Sequence, residues 1–160
     1  MKRFIHPYLL CFCGGLLAGD DYPQAPDFSL PGENMPISLN EFKGKVVLLD
    51  FWASWCAPCR ASFPWMNEMQ SRYRSKGLEV IAINLDKNRA LADDFLTKTP
   101  AKFTVAFDPT GEVASQYDLK GMPASFLIDG QGRILDSHVG FFLSETERRE
   151  RVLKQVLNSF

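Results

Sequence analysis

Residues 46–60 read Val46-Val47-Leu48-Leu49-Asp50-Phe51-Trp52-Ala53-Ser54-Trp55-Cys56-Ala57-Pro58-Cys59-Arg60. The first part of this stretch is a nearly continuous apolar run, which is typical of a central strand covered on both faces. After the cysteines, apolar residues recur at helical spacing and predict a helix. The two thiols therefore lie at a strand-to-helix junction, close enough to each other to form a small disulfide ring.

This junction also favours a reactive sulfur at Cys56. The start of a helix presents free N–H groups and the positive end of the helix dipole, and both stabilise a thiolate. The thiolate is the form that attacks another disulfide. Pro58 fits the same position, because its missing N–H would have no partner in the first turn of a helix. The pattern predicts a redox site with Cys56 as the attacking group.

The composition describes one globular domain. A chain of 160 residues, 46% hydrophobic and 23% charged, is long enough to bury a substantial core. The formal net charge is −1, so charge gives no argument for a nucleic-acid partner. The sequence contains no internal repeat.

Residues 1–19 have the layout of a secretory signal peptide. Lys2 and Arg3 precede a short run of apolar and small residues that is too short to predict a membrane span. We expect this segment to be a signal, residues 20–26 a tether and residues 27–160 the folded domain. An uncleaved anchor and a buried N-terminal strand are the alternatives. The expected location is the periplasm or the extracytoplasmic side of the membrane.

The cysteine count limits what the pair can do. Without residues 1–19, Cys56 and Cys59 are the only thiols, so the domain has no separate structural disulfide. The pair then serves either thiol exchange or a metal. His6 and His138 are the only imidazoles, so one chain does not supply four zinc ligands. We expect no metal and no cofactor beyond the redox-active disulfide. His138 is expected to face solvent on a strand.

Strand and helix signals alternate along the rest of the chain. A helix over residues 88–98 is expected to turn Leu91, Phe95 and Leu96 inward, and a last helix to start at Ser144 with a capping box. This order predicts a mixed α/β sheet with helices on both faces and an N-terminal hairpin. The remaining strands are expected over residues 28–30, 35–39, 78–85, 103–107, 124–129 and 133–139, and a short helix over residues 111–117.

Residues 50–59 resemble, position by position, the active-site segment of the thioredoxin superfamily, and more closely its exported TlpA/ResA-type branch. Residues 25–28 and 44–47 are similar to the segments that lead into the site in that branch. Between residues 86 and 121 the chain is longer than a minimal thioredoxin by a helix and a strand. The resemblance implies a thioredoxin-like fold, with a central mixed β-sheet flanked by helices, an N-terminal β-hairpin and a TlpA-type helix–strand insertion.

The resemblance also implies roles for single residues. Cys56 attacks the substrate, and Cys59, buried one turn into the helix, resolves the mixed disulfide. Asp50 matches the buried aspartate of thioredoxins and is expected to have a raised pKa and to support proton transfer; a buried aspartate without a catalytic role is the alternative. The lysine beside that aspartate corresponds to Ala82 here, and the glutamate of many TlpA/ResA-type proteins corresponds to Ser62.

A second segment resembles the substrate-binding loop of the superfamily. Gly121-Met122-Pro123-Ala124 falls where the family has its cis-proline loop, which implies a cis bond between Met122 and Pro123. The backbone of Met122 is expected to pair with an extended substrate segment. Trp55, Met122 and Phe141 are expected to form an apolar rim that contacts the substrate.

These features predict a thiol–disulfide oxidoreductase of the cell envelope that reduces protein disulfides through Cys56-Ala57-Pro58-Cys59. No histidine lies between the cysteines, which favours a reducing pair, nearer about −270 mV than about −120 mV. The expected partners are substrate proteins with disulfides or free cysteines, apocytochromes among them, and a membrane protein that donates electrons. We expect a monomer without nucleic acid. A peroxiredoxin-like peroxidase and, with Met122 near the thiols, a copper-binding module are the alternatives.

Overall fold

The computed structural model describes residues 21–159, so the expected signal segment lies outside the described residues. Short 3₁₀ turns at Leu39–Phe42, Arg74–Lys76 and Leu143–Glu145 connect some of the elements. In the described residues, no helix has the length and apolar character needed to cross a membrane. The strands and helices are β1 (Ser29–Leu30), β2 (Ile37–Ser38), β3 (Val46–Trp52), α1 (Ala57–Tyr73), β4 (Leu78–Asn84), α2 (Arg89–Lys98), β5 (Thr104–Phe107), α3 (Glu112–Gln116), β6 (Ala124–Ile128), β7 (Ile134–Val139) and α4 (Thr146–Asn158).

The main sheet has five strands in the order β5-β4-β3-β6-β7. β3 pairs in parallel with β4, and β4 with β5, whereas β6 is antiparallel to both β3 and β7. β1 and β2 form the separate N-terminal hairpin. The predicted mixed sheet, the hairpin and the inserted helix and strand (α2 and β5) are therefore confirmed, and the strand with the longest apolar run lies at the centre.

The apolar run of β3 fills two cores because successive side chains point to opposite faces of a strand. Leu48 and Trp52 lie in a core with side chains of α1, α2 and α4. Val47, Leu49 and Phe51 lie in a second core against α3 and the N-terminal hairpin. Every residue of β3 is buried. Burial of each large side chain contributes about 1.5–3 kcal/mol, which is why this run makes a central strand.

Folded contacts begin within the segment predicted as a tether. The N–H of Ala25 donates to the carbonyl of Gly132 at 2.8 Å, and the N–H of Ile134 donates to the carbonyl of Pro23 at 2.8 Å. Gln24 forms an antiparallel bridge with Arg133. Residues 23–25 therefore lie along the turn between β6 and β7.

The inward face of α2 differs from the prediction at one position. Phe95 is buried and its ring centroid lies 4.7 Å from that of Trp52 and 5.0 Å from that of Phe63. Leu91, however, is 50% exposed, and Ala92 is fully buried in its place. Positions 92, 95 and 96 follow the i, i+3, i+4 spacing of one helix face, and Leu91 lies one residue outside it.

The start of α4 also differs from the prediction. Ser144 lies inside the 3₁₀ turn, α4 begins at Thr146, and no side chain caps its first turn. The predicted capping box at Ser144 is therefore wrong, because the chain tightens into a 3₁₀ turn before the helix starts. The Oγ1 hydroxyl of Thr146 instead donates to the carbonyl of Leu143 at 2.8 Å.

The prediction that His138 faces solvent is wrong. Its side chain is only 15% exposed, and its Nε2 lies 2.8 Å from Oε2 of Glu145. His138 is the cross-strand partner of Ser125. Residues opposite each other on a sheet point to the same face, and here that face is covered by α4. The burial of His138 thus follows from the helix that lies over β7.

Candidate active site

Cys56 and Cys59 form a disulfide at the start of α1, with their Cα atoms 5.3 Å apart. Cys56 is the residue that caps α1, and Cys59 lies in its first turn. Cys56 is 5% exposed and Cys59 is 0% exposed. The pair occupies the predicted junction between a central strand and a helix, with the first sulfur nearer to solvent.

The start of α1 provides a hydrogen-bond donor for the outer sulfur. The backbone N–H of Cys59 donates to Sγ of Cys56 at 3.3 Å. Free N–H groups and the dipole at a helix start favour negative charge. After reduction, the same donor would favour the thiolate of Cys56 over the thiol.

A buried aspartate holds the loop that carries the cysteines. Asp86 accepts hydrogen bonds from the backbone N–H of Ser54 at 2.8 Å, from the hydroxyl of Ser54 at 2.7 Å and from Nδ2 of Asn84 at 2.7 Å. The sequence analysis missed this residue. The available signal was its position directly after β4, because the carboxyl ends of neighbouring parallel strands lie at one edge of the sheet.

Asp50 is a buried carboxylate on β3 that faces the same core as Leu48, Trp52 and the buried Cys59. Its cross-strand partners are Ala82 and Ser125. Burial raises its pKa to about 7, while the positive charge of Arg149 acts to lower it. Its Oδ2 atom is buried without a hydrogen-bond partner among residues 21–159. The expected burial, raised pKa and uncharged neighbour on β4 are all present.

The segment before β6 is tied to the end of β7. The bond between Met122 and Pro123 is cis, and Pro123 is buried. The carbonyl of Pro123 accepts the N–H of Gly140 at 2.7 Å. Gly140 has φ +84°, a conformation that side chains with a Cβ rarely adopt. The glycine therefore allows the loop after β7 to lie against the cis-proline.

The apolar residues predicted as a rim differ in exposure. Trp55 is 72% exposed and Met122 is half-buried, but Phe141 is 8% exposed, and its ring centroid lies 6.1 Å from that of Trp65. Phe142 and Leu143 are the exposed apolar residues of that loop. Sequence reasoning missed them because a run of apolar residues does not show which one turns outward.

Within the described part of the chain, no three histidine, cysteine, aspartate or glutamate side chains lie together as a metal site would require.

The sheet order and the dithiol at the helix start define a class of protein, a thiol–disulfide oxidoreductase with a thioredoxin-like fold. Residues 18–157 match the redoxin family. The chain belongs to that family and, within it, to the TlpA/ResA type of the thioredoxin superfamily.

Named relatives agree with this assignment. The thiol-disulfide oxidoreductase ResA of Bacillus thuringiensis subsp. konkukian is 37% identical over 134 residues, which cover 83% of this chain and 76% of the relative. ResA of Bacillus subtilis strain 168 is 34% identical, over 70% of this chain and 63% of its own. A Chlorobium tepidum crystal structure assigned as thiol:disulfide interchange protein DsbE is 51% identical, with a TM-score of 0.84, and the match covers 86% of this chain and 98% of that one.

Proposed function

We propose that this oxidoreductase works as a reductase of protein disulfides in the cell envelope, with Cys56 as the attacking thiolate and Cys59 as the resolving thiol. The observation that carries the proposal is the asymmetry of the pair. The outer sulfur of Cys56 has the helix-start donor, whereas Cys59 is fully buried. A substrate disulfide therefore meets Cys56 first, and Cys59 acts from inside the protein.

The reaction has two exchange steps. The thiolate of reduced Cys56 attacks one sulfur of a substrate disulfide, so that a mixed disulfide forms and the other substrate sulfur leaves as a thiolate. Cys59 then loses its proton and attacks Sγ of Cys56, so that the Cys56–Cys59 bond forms and the second substrate sulfur leaves. The protein is oxidised by two electrons, the substrate is reduced by two, and solvent protonates the released thiolates.

Asp50 is proposed to accept the proton of Cys59 in the second step. Its carboxylate is buried on the face of β3 that packs against α1, and its pKa of about 7 lets it bind or release a proton near neutral pH. We expect Asp50→Asn to slow disulfide exchange near pH 7 and to flatten its pH dependence. An unchanged pH–rate profile would favour a structural role.

The residues around the cis bond are proposed to bind the substrate. The backbone of Met122, before buried Pro123, offers an edge along which an extended segment can add as a short strand. Trp55 presents its ring beside Cys56, and Phe141 supports this side of the site by packing on Trp65. Apolar contacts of this kind suit the chain that surrounds a cysteine of a partly unfolded protein.

We also propose the cellular location and the partners of the protein. The basic start and apolar run of residues 1–19 support export, with residues 20–26 leading into the domain and residues 23–25 already in contact with it. In an oxidising compartment a reductase has to be reduced again, so we propose a membrane electron donor as a partner. The substrate proteins would include apocytochromes, and the protein would act as a monomer.

The first experiment is the reduction potential of the purified chain. Cys11→Ser and Cys13→Ser leave Cys56 and Cys59 as the only thiols. The protein is equilibrated in dithiothreitol and glutathione buffers, and its free thiols are alkylated and counted. A value below about −230 mV supports the reductase, whereas a value above about −180 mV identifies a disulfide donor or isomerase.

A further inference from the structure

The charge that faces Asp50 comes from an unexpected element. The residue opposite Asp50 on β4 is Ala82, and the residue opposite it on β6 is Ser125. Neither can carry a charge. Arg149, on α4, is a buried arginine whose charge acts on Asp50. The sequence analysis gave no role to Arg149, which lies on the buried face of α4, four residues before buried Leu153.

The guanidinium group of Arg149 is fixed on two sides. Its Nη2 donates to Oγ of Ser125 at 2.6 Å. Its central carbon lies 4.5 Å from the ring centroid of Trp65, a cation–π contact. Directly opposed residues of an antiparallel pair have Cβ atoms about 4.5–5.5 Å apart, so Ser125 lies beside Asp50 on the same face. The guanidinium of Arg149 thus binds the side chain of Ser125, which is the direct neighbour of Asp50 on the sheet.

We propose that Arg149, anchored by Ser125 and Trp65, is the positioning residue that sets the ionisation of Asp50 and so the pH range in which Cys59 can be deprotonated. This inference rests on the proposed function for the role of Asp50. A fixed buried cation favours the carboxylate over the carboxylic acid. Because β4 has no charged residue opposite Asp50, the charge near this carboxylate comes from Arg149 on α4.

Arg149 is the charged group that acts on the Asp50 carboxylate. α1 presents the disulfide and Ser62 to this core. Burial lowers the pKa of Arg149. The charges of Asp50, Asp136 and Glu145 act to raise it, and that of Arg148 acts to lower it. His138 also lies here, near Glu145, and burial and the charge of Arg149 lower its pKa. Burial alone would raise the pKa of Asp50 further, and Arg149 limits that rise.

A cavity of about 20 Å³ lies beside this cluster. Ser125, Asp136, His138 and Arg149 are among its lining residues. That volume is enough for about one water molecule with several polar partners. Arg149 therefore borders a small cavity whose lining is partly polar and partly apolar.

The test measures Asp50 directly, by NMR titration of its carboxyl carbon in the oxidised protein, where Cys56 and Cys59 do not titrate. Arg149→Gln removes the cation and is expected to raise the midpoint of Asp50 by about one pH unit or more. Arg149→Lys keeps the charge and is expected to restore much of the shift. Arg151→Gln is the matched control, because Arg151 is exposed on the same helix, and it is expected to leave the midpoint unchanged.

A second variant keeps the test decisive if Arg149→Gln does not fold. Ser125→Ala removes the anchor with little change in volume and is expected to raise the midpoint of Asp50 by a smaller amount. An unchanged midpoint in the folded variants overturns the inference. The pH profile of disulfide exchange should shift to higher pH in Arg149→Gln but not when Asp50→Asn is also present. Wild-type protein without reductase activity would refute the proposed function, and the titration would still decide the role of Arg149.

Discussion

At the scale of single residues, two buried aspartates near the disulfide have opposite surroundings. Asp86 accepts three hydrogen bonds, two of them from the residue that precedes the Trp-Cys pair. Asp50 has a buried oxygen without a partner among residues 21–159, and its pKa is raised to about 7. A satisfied carboxylate stabilises a structure, whereas an unsatisfied one is suited to bind a proton. Asp86 therefore holds the loop, and the surroundings of Asp50 support its proposed role in proton transfer.

The raised pKa of Asp50 predicts that it costs stability at neutral pH. Between the unfolded value near 4 and the folded value of about 7, the native state binds more protons than the unfolded state, so the free energy of unfolding falls as pH rises. Asp50→Asn removes the ionisable group and with it this fall in the free energy of unfolding. We expect the free energy of unfolding of the variant to rise relative to that of wild type between pH 4 and pH 7, by at most about 4 kcal/mol. The difference should stay constant above pH 7.

Urea unfolding of the oxidised protein at pH 5 and pH 8 measures this gain. Asp94→Asn is the control, because Asp94 is exposed and its carboxylate pairs with Lys98 on the surface of α2. The free energy of unfolding of Asp94→Asn should differ from that of wild type by the same small amount at both pH values. A gain for Asp50→Asn that is equal at pH 5 and pH 8 would contradict a raised pKa of Asp50.

Asp86→Ala tests the loop. The substitution leaves the N–H and hydroxyl of Ser54 without their acceptor, and hydrogen bonds to a charged group are worth about 1.5–3 kcal/mol each. We expect a loss of at least about 2 kcal/mol in the free energy of unfolding and slower disulfide exchange, as the loop before Cys56 loosens. Asp93→Ala, at an exposed site on α2, is the control. Wild-type stability and rate in Asp86→Ala would show that the backbone alone holds the loop.

At the scale of elements, local patterns predicted most of the strands and the helix start at the cysteines. The bounds of β3 and the place of α1 follow from an apolar run and a helical spacing within one short stretch. What local patterns did not predict depends on contacts between distant segments. The inward face of α2 is fixed by Trp52 and Phe63, and the burial of Arg149 by Ser125 and Trp65. The spacing of apolar residues predicts the buried face of a helix. Which polar residue is buried on that face depends on the side chains that pack against it.

The inserted helix α2 offers a test at this scale. Phe95 joins α2 to β3 and α1 through ring contacts with Trp52 and Phe63. Phe95→Ala is expected to cost about 3–5 kcal/mol in the free energy of unfolding, as for other large core aromatics. Leu91→Ala is the matched control on the same helix and is expected to change stability by no more than about 0.5 kcal/mol. Equal losses at both positions in urea unfolding would show that Leu91, and not only Phe95, is part of the core.

At the scale of the whole molecule, the sheet brings four strand ends together at the disulfide. The register pairs Trp52 at the end of β3 with Asn84 at the end of β4. It also pairs Phe51 with Ala124 at the start of β6, and Ala124 with Val139 at the end of β7. The cysteine loop, Asp86 and the cis-proline segment therefore meet at one edge although they are distant in sequence. Four strands of the sheet thus assemble the site, and the redox state of the disulfide is linked to the stability of the fold.

This linkage predicts which redox form of the protein is more stable. Folding and disulfide reduction form a closed thermodynamic cycle, so a disulfide that is harder to reduce in the folded than in the unfolded protein makes the oxidised fold the more stable one. A strong oxidant shows the reverse, since its reduced form is stabilised. If the pair is a reductant, we expect oxidised protein to unfold at higher urea than reduced protein at pH 7. Each 30 mV by which folding lowers the potential corresponds to about 1.4 kcal/mol.

The measurement compares urea unfolding of the two redox forms, with Cys11→Ser and Cys13→Ser in both and with dithiothreitol added to the reduced sample. Cys59→Ser, which has no disulfide in either condition, controls for the effect of the reductant and should unfold identically with and without it. This experiment needs no equilibration against a redox couple of known potential, so it checks the direction of electron flow by a different measurement. A reduced form more stable than the oxidised form would mean that folding stabilises the Cys56 thiolate more than it stabilises the disulfide. The protein would then be an electron acceptor, and the proposed reductase direction would be wrong.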